Sequence, residues 1–538
     1  MNNDDFRMMY GWAEIEPSEP VVVGRLGIWT LTYHVGNYGI DDGGTIVVAF
    51  RTVTDWGTPQ TENPLDINYV TAKTTGQAQL RWRWDAKGYI RPWRKCLIVD
   101  VYGTALCPKD EVIITYGGTS QESEGIVPQT FCEKTFEFKV AIDAFGTGQF
   151  VELAESPTVE VISGTASKLV LILPSQIEIE KPFAAIVKAE DKWGNPSSSY
   201  KGVVRFEYSD ALVGLPNSYT FTQEDRGAHR FEGLRCKSEG IYVVKSVDEE
   251  NKLISESNSL ICKKQRTTSS YRHRATEYSP YWGDLHGQSE ETVGTNTVND
   301  YFAYARDISA LDFSSHQGND FQITKEIWRE IQRQVKAYHE PHRFITFLGY
   351  EWSGNSPAGG DHNVYYLNDD EPIYRSSHWQ IADKSDADTD RYPLNLLYDT
   401  LQSKDAMLIP HVGGRPANLD FHHPLVNSSR VASVPDRRKD GQGAPLPYPE
   451  HEPLEPLIEI YSAWGEFPWM IQDALQRGYK VGFVAGSDDH KGRPGASYPG
   501  SSTFGVYGGL VCVYAKELTR EAIWEALKSR RCYATTGQ

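Results

Sequence analysis

The chain has 538 residues, more than one hydrophobic core can serve, since single domains usually run to roughly 100–200 residues. With 39% hydrophobic residues, 14 Trp, 30 Tyr and 20 Phe, the composition supplies large cores and excludes a mostly disordered chain. Its 54 Lys and Arg stand against 72 Asp and Glu, a net charge of −18, which argues against nucleic acid and anionic membrane as partners because both reward clustered cations.

The N-terminal segment carries Asp4 and Asp5 and no apolar run of signal-peptide length, the expectation for a cytoplasmic protein. Up to about residue 265, short alternating or β-branched runs are separated by Gly, Pro, Asn and Asp. Examples are Thr45–Phe50, Cys96–Val101, Val112–Tyr116 and Lys134–Ile142, the pattern of an all-β region. Two parts are expected, an all-β domain over 1–154 and an immunoglobulin-like sandwich over 155–265. The second shows the runs Lys168–Leu173, Phe183–Ala189, Gly202–Tyr208, Tyr219–Phe221, His229–Phe231 and Gly240–Lys245. Leu169–Leu173, the longest aliphatic run, stops at Pro174, far short of the roughly 20 residues that cross a bilayer. The seven Cys are odd in number and never spaced C-x-x-C, so they read as buried small hydrophobes rather than a disulfide framework or a cysteine zinc site.

Residues 266–279 are polar and basic without apolar period, a linker. Beyond it lies a third domain, 280–538, where buried-strand runs alternate with amphipathic helices. In order, these are helix Thr297–Ala310, strand Leu311–Ser314, helix Thr324–Tyr338, strands Phe344–Glu351 and Asn363–Leu367, helix Leu394–Ser403 and strand Ala406–Pro410. Strand Leu457–Tyr461, helix Trp469–Arg477, strands Lys480–Ala485 and Leu510–Tyr514, and helix Arg520–Ser529 follow. Repeated β-then-α units predict a parallel sheet or barrel with chemistry at the C-terminal strand ends.

Eleven of the 14 His lie in this part, and strand ends repeatedly finish on a group able to hold a metal. They are His286 with Gln288, His316, Glu351, His362, His411, and Asp488 with His490. A barrel gathers successive strand ends on one rim, so these eight are the predicted metal ligands. Imidazole and carboxylate without thiolate suit Mn²⁺, Zn²⁺ or Fe²⁺. Two such ions would clamp a phosphate and acidify a bound water. His362 and Asp488 are also candidate catalytic groups, His362 as an acid for a leaving group.

Gly283-Asp284-Leu285-His286, Ser315-His316, Gly349-Tyr350-Glu351, Pro410-His411 and Gly486-Ser487-Asp488-Asp489-His490 resemble the ordered motifs of the polymerase and histidinol phosphatase (PHP) superfamily of metal-dependent phosphoesterases. The likeness is to its branch with a β-rich N-terminal region and covers about residues 278–538. It implies a distorted seven-stranded β/α barrel holding one to three divalent metals and a phosphoester substrate. Two positions depart from the family pattern: Gln288 stands where a second His is usual, and Ser315 where an Asp is usual. The resemblance also implies a shortened C-terminus, because relatives continue into another strand after Gln538.

Asp284, Glu459 and Asp489 sit beside the proposed ligands and are placed to receive imidazole N–H bonds. Arg415 and Arg493, with Lys491, are candidates for an anionic small-molecule substrate, since guanidinium matches phosphate or carboxylate oxygens in pairs. Trp282, Trp352 and Trp464 are candidates for stacking on a substrate or for core packing. Asn418–Pro456, rich in Pro, reads as a lid or an insert. His339 and His342 fit a helix C-terminus, and His422 and His423 the solvent. No Walker loop and no Gly-x-Ser-x-Gly elbow occurs. The expected function is a metal-dependent hydrolase, a phosphoesterase first. A metal-dependent lyase or non-phosphate hydrolase acting on a carboxylated or glycosidic compound is the alternative, and a non-catalytic binding protein the second. The oligomeric state is left open.

Overall fold

A computed structural model describes residues 2–118, 123–264, 278–354, 360–411, 454–476, 480–496 and 507–537. The chain divides into two compact units after Gly164. The first is built on sheets. Strand Trp29–His34 alternates large apolar Trp29, Leu31 and Tyr33, all buried, with half-buried Thr30, Thr32 and His34, so one face seeks a core. It lies in a four-stranded sheet, beside a five-stranded sheet centred on Thr45–Phe50 and Lys95–Tyr102. Phe50, Trp56, Phe136 and Phe138 cluster in this unit with ring centroids 4.5–6.1 Å apart. A short helix, Asn3–Tyr10, precedes the strands; it buries no residue, so no apolar period marks it. Strand Thr158–Ile162 pairs with Val21–Val22 and Glu133–Glu137, which moves the boundary expected at 154 to Gly164.

The second unit starts with antiparallel strands of a sandwich, Lys168–Ile172, Phe183–Glu190 and Ala228–Cys236 in one sheet and Ser218–Thr220, Val203–Glu207, Lys245–Asp248 and Leu253–Glu256 in another. Their inward residues, among them Leu169, Leu171, Val187, Val204 and Phe206, form one core.

The rest of this unit carries a seven-stranded sheet. Strands Ser279–Asp284, Phe313–Ser315 and Ile345–Ser353 pair in parallel. Asp361–Tyr366 and Ala406–Pro410 extend one side antiparallel, and Leu510–Ala515 and Cys532–Thr535 extend the other. A three-stranded sheet adds Leu457–Ser462 parallel to Gly482–Ala485, with Gly465–Glu466 at its edge. The predicted strands and helices are therefore present, but the described strands form a mixed seven-stranded sheet and a three-stranded one in place of the expected distorted β/α barrel. Only seven residues separate Ile345–Ser353 from Asp361–Tyr366, too few for a helical crossover, so that pair must turn back antiparallel. Helix Lys325–Tyr338, with Thr324 accepting from Ile327 N at 3.2 Å, buries Trp328, Ile331 and Val335 along one stripe. The predicted helix Thr297–Ala310 is α-helical over Val298–Ala303 and continues as a π-helix over Tyr304–Ile308. No helix among the described residues is long and apolar enough to cross a membrane.

Register divides three neighbouring strands between two cores. Tyr350, Trp352, Val364 and Leu408 enter the core under the helices with Trp328 and Leu397. Phe347, Tyr365, Met407 and Ile409 enter the other, with Leu285, Val484 and Val511. Leu408 is fully buried, so Leu408→Ala should cost about 2–5 kcal/mol in denaturant unfolding of this unit. Ile254→Ala, at a side chain 64% exposed, should stay within about 0.5 kcal/mol.

Candidate metal centre

The site starts from an unusual backbone. After strand Gly482–Ala485 the chain runs through Gly486-Ser487-Asp488-Asp489-His490, with Asp488 at φ +46°. A residue other than glycine in this region signals a locally imposed conformation. Asp284 imposes it: its buried carboxylate accepts from Ser487 N at 2.9 Å, Gly495 N at 2.8 Å and His286 N at 3.2 Å. Burial raises this carboxyl to about 6, with the N–H donors pulling the other way. Two further bonds, Asp488 N to His286 O and Gln288 N to Asp489 O, both 2.8 Å, lay 286–288 alongside 488–490. A side chain at Gly486 would meet His286 Cβ at 2.5 Å, so the approach requires glycine there.

This alignment brings distant residues together. His286 Nε2 lies 3.3 Å from Asp488 Oδ1, and His411 Nε2 lies 3.0 Å from Asp488 Oδ2. Glu459 stands behind both rings, Oε2 3.0 Å from His286 Nδ1 and Oε1 2.9 Å from His411 Nδ1. Donor atoms of His286, Glu351 and His411 all fall within 4.8 Å of one another. His286, Glu351, His411, Glu459 and Asp488 are each at most 5% exposed. Glu351 is held in turn by Gln288 Nε2 at 2.9 Å and Asn319 Nδ2 at 2.7 Å.

Burial alone would drive protons off both imidazoles. The charges of Asp488 and Glu459 outweigh it, raising His286 well above its ordinary value and His411 to about 10. Burial pushes the carboxyls of Asp488 and Glu459 up, but the two rings outweigh it and hold both below their usual range. Three carboxylates facing two imidazoles make a pocket short of positive charge, and His286 Nε2 is buried without a hydrogen bond. Nitrogen and oxygen donors without sulfur, with His286 Nδ1 hydrogen-bonded to Glu459 and His411 Nδ1 2.9 Å from it, fit Zn²⁺, Mn²⁺ or Fe²⁺.

The other predicted residues fall as follows. Gln288 reaches the cavity but spends its amide on Glu351 and on Thr292, whose hydroxyl donates to Oε1 at 2.9 Å. His316 pairs through Nε2 with Ser289 Oγ at 2.8 Å, and burial lowers it to about 3. His490 donates from Nδ1 to the Asp488 carbonyl at 2.8 Å and lies 3.5 Å from Asp488 Oδ1. His362 is the clear correction, for both its metal and its catalytic role. It is opposite Trp352 and Pro410, one residue out of phase with Glu351, so the pleat turns it to the other face of the sheet. There its Nδ1 donates to Gly360 O at 3.1 Å and its Nε2 lies 3.7 Å from Glu455.

Arg493 is a second correction. Its Nη1 donates to Trp193 O at 3.0 Å and Asn195 Oδ1 at 3.2 Å, so the buried guanidinium binds a turn of the sandwich. Lys491 is buried beside it, its N–H on Asp489 Oδ2 at 3.1 Å. Asp284 and Asp489 hold backbone N–H groups instead of imidazoles, and Glu459 alone of the three orients ligands. Arg415, His422 and His423 lie outside the described residues, as does nearly all of Asn418–Pro456. Trp282 donates to Ser175 Oγ at 2.8 Å, Trp352 is fully buried with its N–H on Arg391 O, and Trp464 packs on the Phe467–Met470 core.

Two site residues escaped sequence reasoning. Asn319 holds Glu351. Asn363 pairs directly opposite Glu351, on the face of His411, fully buried with neither carboxamide atom hydrogen-bonded. Neither belongs to the usual ligand types; only the alternation of Asn363 with Asp361 and Tyr365 in its strand signals its direction.

A family model described as "Protein of unknown function (DUF3604)" matches residues 259–422 and 500–538. His286, Glu351 and His411 fall inside it, and Glu459 and Asp488 between its two parts. An uncharacterized protein of Chlamydia muridarum is 24% identical over 536 residues, 96% of this chain and 80% of that protein. One of Chlamydia pneumoniae is 26% identical over 432 residues, 76% of this chain and 62% of that protein. Among solved structures, a glycosyl hydrolase family 2 member from Bacteroides cellulosilyticus aligns at TM-score 0.18 and 11% identity, over 46% of this chain and 24% of its own. A marsupial T cell receptor aligns at 0.20 and 8%, over 45% and 93%. Likenesses of this size carry no argument about fold or chemistry.

Because Arg493 binds the sandwich turn, Arg493→Ala should destabilise this unit by about 1–3 kcal/mol in denaturant unfolding, the cost of stripping a donor from buried acceptors.

Proposed function

We propose that this chain is a divalent-metal-dependent hydrolase acting on a small anionic ester, a phosphoester first. The observation that carries this reading is the convergence of His286, Glu351, His411 and Asp488 from four separate segments, with Glu459 behind both rings. A divalent cation supplies such a site with an acidified water and a polarised phosphoryl oxygen. The residues do the rest. Glu459, bonded to His286 Nδ1 and 2.9 Å from His411 Nδ1, would hold a proton on each and leave Nε2 of each ring for a cation. Asp488 spans the two Nε2 atoms, and the amides of Gln288 and Asn319 keep Glu351 turned toward them. Asn363, its carboxamide unspent beside Glu351, would bond a substrate oxygen. The motif resemblance to PHP phosphoesterases supports the substrate class.

Metal analysis of the purified chain after Mn²⁺ or Zn²⁺ addition tests this, with an aryl phosphate assay beside it. His411→Ala and Asp488→Ala should lose the metal and the turnover together. Glu459→Gln, which weakens the hold on both rings, should lower metal affinity about 10–100-fold. A chain that takes up neither metal and turns over no ester under either would sink the reading. Product mass spectra separate hydrolysis, which adds one water, from elimination, which leaves an unsaturated product. Asn363→Ala should raise KM for the aryl phosphate about tenfold, roughly one hydrogen bond to a charged group, with metal content unchanged.

A further inference from the structure

How many cations the centre takes is decided around Glu351. Gln288 Nε2 and Asn319 Nδ2 donate to the same oxygen, Oε2, at 2.9 and 2.7 Å. A carboxylate oxygen offers two lone-pair directions, so these two N–H bonds occupy Oε2, the oxygen 4.0 Å from His286 Nε2, and leave the lone pairs of Oε1. With Oε2 filled, the arrangement in which each oxygen of Glu351 takes one of two cations is closed. The Gln288 amide is fixed in this orientation, because the Thr292 hydroxyl donates to its Oε1 at 2.9 Å. Turning it over would set that oxygen against the carboxylate.

Of the three further imidazoles a second cation would draw on, two have a ring nitrogen engaged, His316 on Ser289 and His490 on the Asp488 carbonyl, and the third faces away. His316 Nε2 sits on Ser289 Oγ, whose hydroxyl donates to Glu291. His362 faces the opposite side of the sheet, beside Trp352 at 6.3 Å. Asp488 directs both of its oxygens at His286 and His411, the pair that one cation would join.

We propose that the centre holds one divalent cation, on His286, His411, Asp488 and one oxygen of Glu351, and that the carboxamides of Gln288 and Asn319 stand where a second cation would bind. The proposal rests on the metal reading above and deepens it. The two N–H dipoles neutralise Oε2 much as a second cation would, and they repel any cation approaching that oxygen. An anionic substrate then meets one cation and, across from it, the carboxamide of Asn363.

Metal content per chain, measured after loading with Mn²⁺ or Zn²⁺ and desalting, tests this without any substrate. The unaltered chain should hold one equivalent. Gln288→Glu keeps the shape but replaces the N–H donor by a carboxylate facing Glu351, and should hold two, a twofold rise. Asn319→Asp makes the same change from the other side, should Gln288→Glu fail to fold. Two or more equivalents on the unaltered chain overturn the proposal and leave the metal reading standing. One equivalent on both the unaltered chain and the folded variants overturns the part assigned to the carboxamides. No metal on the unaltered chain removes the metal reading itself, and this proposal with it.

Discussion

The constraint on which the centre depends is the burial of Glu351, Glu459 and Asp488 in one small space, each at most 5% exposed. Carboxylates taken out of water cost several kcal/mol each unless they are paired or hydrogen-bonded. The chain answers differently for each. Glu459 is met by two Nδ1 atoms, Asp488 by two Nε2 atoms and Glu351 by two amides. His286 and His411 thus serve two carboxylates at once, one on each ring nitrogen. That sharing leaves positive charge in deficit.

Sharing of this kind tolerates little positional error, so the backbone around it is fixed by a separate carboxylate. Asp284 gathers N–H groups of His286, Ser487 and Gly495 and so sets the strand end that carries one ring against the loop that carries Asp488. It takes no part in the charge pairing. The positive φ of Asp488 is a consequence of this clamp, and the strain it holds is offset by buried hydrogen bonds on either side.

Much of this was legible in the chain before any coordinates. Strands such as Ala406–Pro410 and Leu457–Ser462 stand out because they are short apolar runs with sharp ends, and His411 is legible because it follows one directly. Pairing direction was not legible. The β/α rhythm suggests parallel neighbours, yet the seven-residue gap before Asp361 forces an antiparallel turn, and that turn decides which alternate residue looks inward. His362, a conspicuous ligand type, loses its place by one residue of phase, and Asn363, an inconspicuous amide, gains it. Hydrogen bonding between side chains was hidden for a similar reason: Gln288 reads as a ligand by residue type and acts as a donor to Glu351 by position. Arg493 reads as an anion binder for the same want of context.

The sandwich, which the sequence left without a role, is tied to the centre through that arginine. Arg493 follows Asp489 in the clamped loop, and its guanidinium reaches the Trp193–Asn195 turn, where Asp191 accepts from Asn195 N at 3.0 Å. Trp282, in the strand that leads to Asp284 and His286, bonds Ser175 of the same sandwich. Both of the aligned segments, 286–288 and 488–490, therefore have an anchor in the sandwich close to the point where they meet. The buried arginine and the tryptophan N–H give the sandwich fixed contacts with both segments. Such contacts suit a brace, because two segments that must stay within hydrogen-bonding distance along 286–288 and 488–490 are best held from a third, rigid body.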